Sequence, residues 1–250
     1  SQALVDETVR DFFNTLWSTY YFFVLYANLD EPDLAAAPPA QERPLVDRWL
    51  AARLAQLVTE VTEQLENYDP TGATRNIRDF VVDELSNWYV RRNRRRFWKS
   101  EDDFDKLSAY ASLYEALVTV AKLIAPMAPF TSDAIYRNLV LSVDPEAPES
   151  VHLAHWPTAD ESLIDRELLR DMATLVKVVE LGRAARAGSG VKTRQPLPEL
   201  LVRVPTEAQL EGLKRFEREL LEELNVKNIR YLDVTADFVE YSIRPNLPLV

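Results

Sequence analysis

The stretch LVDRWLAARLAQLVTEVTEQLENY, residues 45–68, decides how this chain folds. Leu50, Leu54, Leu57, Val61 and Leu65 recur at three- and four-residue spacing, which lines one face of an α-helix. Working outward, the proline-rich run Asp30 to Pro44 upstream reads as a loop. Before it, residues 3–28 repeat the helical spacing with Val9, Phe12, Phe13, Leu16, Trp17, Tyr20, Phe23 and Val24. Downstream, Asp69-Pro70-Thr71-Gly72 breaks the helix, and a third begins near Ala73 and runs through Val90 toward Trp98. A fourth covers Phe104 to Ile124 and stops before Pro126; a fifth covers Ser132 to Leu141. Only five glycines stand against 15 prolines, which suits long helices with prolines at their ends. Five amphipathic helices on short connections bury their stripes most simply as an antiparallel bundle.

The pattern changes near Val143. Residues 144–160 are rich in Pro, Asp and Glu and read as a boundary. A helix over Ser162 to Ala187 follows, then Gly188-Ser189-Gly190, a strand at Leu200 to Val204, and a helix at Glu207 to Leu224. Two further strands are expected at Asn228 to Leu232 and Phe238 to Ile243. The fold class expected is mainly α: a helical bundle at residues 1–145, then a small α/β domain at 150–250. The last residues, PNLPLV, do not read as a natural end, and the chain is expected to continue.

Composition narrows the function classes. Hydrophobic residues at 47% and charged residues at 28% are ordinary for a soluble globular chain. No run of 18 or more consecutive apolar residues occurs, so no membrane partner is expected. The opening SQALVDETVR lacks the basic start of a secretion signal. Cysteine is absent, which excludes disulfides and thiolate metal sites. A net charge of −11 argues against a nucleic-acid partner on its own, so the distribution of charge has to decide.

That distribution is uneven. Trp88 to Lys99, WYVRRNRRRFWK, holds six basic residues and no acid; setting those six aside takes the chain from −11 to −17. At about 100° per residue, Arg91, Arg95, Arg92 and Arg96 span about 140° of the helix, with Trp88 and Tyr89 on that side one turn earlier. Val90, Asn93 and Phe97 fall elsewhere and can face a core. Guanidinium groups pair with phosphate and stack on splayed bases, as aromatic rings do, which fits single-stranded RNA. A solvated face, or arginines paired with carboxylates of neighbouring helices, fits the same residues equally well, and Trp88 fits a core position better than a stacking one.

A second basic stretch, Arg183, Arg186, Lys192 and Arg194, surrounds Gly188-Ser189-Gly190, with no acid from Arg183 to Pro198. Val191 separates Gly190 from Lys192, so this is no phosphate-binding P-loop; a turn and an RNA contact both fit. His152 and His155 lack the further ligands a zinc site needs, so no metal is expected. There is no G-x-S-x-G elbow, Cys nucleophile or dinucleotide-binding turn. Asp102-Asp103 and Glu222-Glu223 read as helix-end charges, and no catalytic residue is expected.

LSNWYVRRNRRRFW, from Leu85 to Trp98, resembles a helix characteristic of the isoleucyl-tRNA synthetase family of class I aminoacyl-tRNA synthetases. Further segments resemble that family in the same order: VRDFFNTLWSTYYFF from Val9, DRWLAARL from Asp47, YEALVTVAKLIAPMAPFTSDAIYRNL from Tyr114, SVHLAHWP from Ser150 and SGVKTRQPL from Ser189. The resemblance covers nearly the whole chain. The related valyl enzymes share the bundle and the DRW-type helix start, but RRNRRRFW and GVKTRQPL are more similar to the isoleucyl family.

The resemblance implies a class Ia anticodon-binding helical bundle followed by an α/β junction domain. It implies a cytoplasmic, monomeric parent ligase for protein biosynthesis that joins isoleucine to its tRNA using ATP with Mg. The family's H-I-G-H and K-M-S-K-S type motifs and C-terminal zinc-binding cysteines are missing here. This part is therefore expected to be inactive alone and to hold no cofactor. Its expected partners are isoleucine tRNA and the catalytic domain of the same polypeptide. The RNA-binding candidates are Arg91, Arg92, Arg94, Arg95 and Arg96, then Trp98, Lys99, Lys192 and Arg194. The competing class is a helical protein-interaction scaffold whose basic helix docks an acidic partner.

Overall fold

A computed structural model describes residues 6–99 and 103–232. The chain forms two compact units, Ser1–Asp165 and Arg166–Val250. The first is helical. A wide-turned π segment, Val9–Phe13, leads into α1, Asn14–Asp30; α2 is Leu45–Glu66. The next helix is α3, Pro70–Asp79, which runs through a second π segment, Phe80–Val90, into α4, Arg91–Lys99. α5, Asp103–Ile124, and α6, Pro129–Val140, complete the bundle.

Helix α5 is the centre of this unit and packs against α1, α2, α4 and α6. Its buried Ser108, Ala109, Ala111, Ser112, Ala116 and Ala121 are small, which lets neighbouring backbones approach closely. By length and composition α5 is apolar enough to cross a membrane; here the apolar residues face the bundle core, and most of the helix is buried. On α1 the buried face is Leu16, Tyr20 and Phe23, while Trp17, Tyr21, Leu25 and Leu29 are exposed. Trp17 therefore departs from the core stripe expected of it: the helix is apolar almost all round, and the core covers one side.

The Asp69–Gly72 turn starts a helix as well as ending one. Asp69 Oδ1 accepts from the Gly72 backbone N–H at 2.8 Å, and Pro70 occupies the first turn, where its missing N–H costs nothing. Between Phe80 and Val90 the turn widens, and the Arg91 N–H reaches back to the Ser86 carbonyl, five residues away. Consecutive side chains are then less far apart around the axis, and Trp88, Tyr89 and Val90 are all buried.

The acidic, proline-rich stretch after Val143 packs onto the first unit. Asp133 accepts from the Ser150 hydroxyl at 2.7 Å and the Val151 N–H at 3.0 Å, and the Trp156 indole donates to Thr62 Oγ1 at 2.9 Å. Those anchors put the division between the units after Asp165.

The second unit is built on α7, Arg166–Gly188. A parallel pair, β1 (Leu197–Val202) and β2 (Val226–Tyr231), is joined by α8 (Glu207–Arg215) and α9 (Glu217–Leu224). The single helix expected over 207–224 is interrupted at Phe216, whose ring is buried and whose N–H bonds to Leu213. The strand expected at Phe238 to Ile243 lies outside the described residues.

Candidate nucleic-acid interface

Helix α4 carries the basic run, and its burial divides the six cations. Asn93 and Phe97 are buried; the Phe97 ring packs edge-on against Phe22 and Tyr110 at 5.1 and 4.9 Å. Arg91, Arg94, Arg95, Trp98 and Lys99 are exposed. These five fall within an arc of about 140°, centred opposite Asn93 and Phe97. The exposed arc is thus rotated by about 60° from the one expected, gaining Arg94 and losing Arg92 and Arg96.

Arg96 turns inward. Its Nη1 donates to Asp47 Oδ1 at 2.9 Å and Asn93 Oδ1 at 3.3 Å. Its Nη2 donates to Asp47 Oδ2 at 2.6 Å and the Asp105 carbonyl at 2.8 Å, and Nε donates to Asp105 Oδ2 at 3.0 Å. A guanidinium has five N–H donors, and these five bonds use them all. Asp47 is fully buried and also accepts from the Tyr89 hydroxyl at 2.5 Å. Burial and the Asp47 charge push the Tyr89 hydroxyl well above its ordinary pKa; hydrogen bonds to Asp47 and the carboxylates around it hold Arg96 charged despite burial. Both Tyr89 and Arg96, expected on the basic face, belong to this internal network.

Arg92 lies over the Trp88 ring at 5.1 Å, a cation–π contact at the margin of the face. Trp88, which helical spacing put on the basic side but which fits a core position better than a stacking one, is a core residue; its indole N–H is buried and has no hydrogen-bond partner among the described residues. Arg91 Nε donates to the Asn87 carbonyl at 2.8 Å and its side chain is exposed. Among the described residues, no ion pair or hydrogen bond engages the side chains of Arg94, Arg95 or Lys99. Trp98 stands between them on the arc, 55% exposed, its ring edge-to-face with Tyr26 at 6.4 Å. Cations around an exposed indole can hold phosphates and stack a base at once.

The second basic stretch also divides. Arg186 is buried and donates to four carbonyls: Lys192 at 3.1 Å, Gln195 at 3.0 Å, Leu224 at 2.6 Å and Asn225 at 3.1 Å. It staples the loop after α7 to the turn between α9 and β2. Arg183 pairs with Glu223. Lys192 and Arg194 are exposed on the stapled loop. Gly190 has φ of +68°, in the left-handed region glycine tolerates, so the chain reverses there without strain. His152 rests a ring nitrogen 3.2 Å from the Pro129 carbonyl.

Asp47 is the member of this network that reading the residues by type passed over. It lies three residues before Leu50 and seven before Leu54, on the apolar stripe of α2. A carboxylate in that stripe needs a buried cation or several donors, and that is the signal that points to it.

Helical bundles that carry an outward cationic, aromatic helix include a class of nucleic-acid-binding α-helical domains. The chain belongs, within that class, to the family described as the anticodon-binding domain of tRNA ligase, which matches residues 47–201, more than half its length. Among curated proteins it is similar to the isoleucine–tRNA ligase of Thermus thermophilus, 60% identical over 247 residues, 99% of this chain and 24% of the relative. That of Deinococcus radiodurans is 52% identical over 250 residues, 100% of this chain and 22% of the relative. That of Clostridium tetani is 43% identical over 246 residues, 98% and 23%. The chain spans about a quarter of the length of these relatives.

Proposed function

We propose that this chain is the anticodon-reading part of a cytoplasmic isoleucine–tRNA ligase, with isoleucine tRNA as its ligand. The observation that carries the reading is the outward set of Arg94, Arg95 and Lys99 beside exposed Trp98, on a helix of an anticodon-binding domain. The relatives' shared name favours isoleucine over valine. Cations on this face take the phosphates of the anticodon loop; Trp98 takes the face of an unpaired base; Arg91 and Arg92 flank them. Lys192 and Arg194 form a second cationic contact on the other unit.

Joining isoleucine to tRNA with ATP and Mg belongs, on this reading, to the rest of the polypeptide, with this chain acting as a monomer in one molecule of it. The chain's part is affinity and discrimination. Filter binding with an isoleucine tRNA transcript and the same transcript carrying a swapped anticodon tests this. The intact anticodon is expected to bind more tightly, and the chain alone to transfer no isoleucine. Equal affinity for both transcripts sinks anticodon reading; a complex insensitive to salt favours the protein scaffold instead.

A further inference from the structure

Arg96 is a cation in the most basic segment of the chain, yet every donor it has faces inward. Its partners come from two other helices, Asp47 of α2 and Asp105 of α5. The Phe97 ring fixes how deeply α4 sits, because it packs on Phe22 and Tyr110. A ring contact resists rotation about the helix axis weakly. A planar guanidinium held by two carboxylates resists it strongly, since both pairs of bonds need the plane in one orientation. The Tyr89 hydroxyl on the same Asp47 oxygen, and Asn93 bridging from Arg96 to the Tyr89 carbonyl at 2.8 Å, close the loop within the helix itself. A roll of one residue position, about 100°, in the sense that carries Arg95 to the place of Arg96 would take Arg95 out of the exposed arc.

We propose that the Asp47–Arg96 pair is a positioning device that sets the tRNA affinity of the basic helix although neither residue touches RNA. This rests on the RNA-binding reading above. The sign of one substitution separates it from simple electrostatics. Asp47→Asn removes a negative charge near a polyanion and loosens the hold on an arginine. If Arg96 served as a phosphate ligand, or if charge alone mattered, binding would tighten. The positioning role requires it to weaken.

The experiment titrates an isoleucine tRNA transcript against the 250-residue chain and its variants at a temperature where circular dichroism shows each folded. Asp47→Asn and Arg96→Lys are each expected to weaken binding roughly fivefold or more, and the double variant by no more than the worse single one. Arg96→Lys keeps the charge and loses only the fork, so its failure to rescue identifies geometry as the cause. Val61→Ala, a core change elsewhere on α2, serves as the stability control and is expected to bind as the unaltered chain does.

Should Arg96→Lys fail to fold, Tyr89→Phe loosens the same carboxylate while keeping the ring, with a smaller loss of the same sign expected. Tighter binding by Asp47→Asn, or unaltered affinity in folded Arg96→Lys, overturns the proposal. An unaltered chain that binds no tRNA overturns the RNA reading beneath it, which is a different result from a binding chain whose variants match it.

Discussion

Replacing Arg94 and Arg95 together by alanine removes two of the three cations on α4 that have no partner among the described residues, Lys99 being the third. Each phosphate neutralised on a single strand contributes about −0.7 to the slope of log K against log salt. Three contacts give a slope of about −2.1, which is roughly an 18-fold loss of affinity between about 50 and about 200 mM salt. The double variant keeps one of the three, so its slope should be shallower by about 1.4 and its loss over that range smaller by roughly sevenfold, whatever the remaining cations contribute. Both side chains are exposed and hold nothing else, so melting temperature should change little. The assay is filter binding to an isoleucine tRNA transcript across that salt range, for the unaltered chain and the variant. A slope that stays near the parent's in the double variant refutes the assignment of the phosphate contacts to this face, whatever happens to the affinity.

Three further outcomes are expected. Trp98→Ala should cost about 1–3 kcal/mol of tRNA binding with the salt slope unchanged, and Trp98→Phe should restore most of it; equal losses in both would remove Trp98 as a stacking surface. Arg186→Met leaves four carbonyls without their donor and should destabilise the second unit by about 3–5 kcal/mol, seen as faster hydrogen exchange in β1 and β2 while α5 keeps its protection. Asp133 is held below the usual carboxylate range, chiefly by the Ser150 hydroxyl and also by the Val151 amide. Because its folded pKa is depressed, its contribution is present above the ordinary value of 3.8 and disappears as pH falls through the lower folded value. Asp133→Asn should therefore lower the stability of the first unit at neutral pH and match the parent in strong acid, as followed by chemical denaturation.

Most elements were legible in the sequence because their signals are local. The stripes of α2 and α5 and the proline stops place those helices within a few residues of where they lie. The Asp69-Pro70 start was visible only as a break, since capping is a side-chain geometry. The boundary was drawn too early: an acidic, proline-rich composition says that a stretch is irregular, and only Asp133 and Thr62 show what it packs on. In the basic helix the residue types were enough to find the segment but not to sort it. Arg94 and Arg96 are the same residue two positions apart, one exposed and the other with every donor taken up inside the fold, chiefly by two carboxylates.

From its own letters, then, the chain determined which segments are helical, that a dense cationic run interrupts an anionic body, and that Asn93 and Phe97 oppose it. Only the tertiary structure decided which way that helix is turned. A repeat of about 100° per residue fixes angles between side chains and leaves the origin of rotation open. That origin is set by the wide turns from Phe80 to Val90 and by a carboxylate 49 positions before Arg96, neither of which helical periodicity encodes.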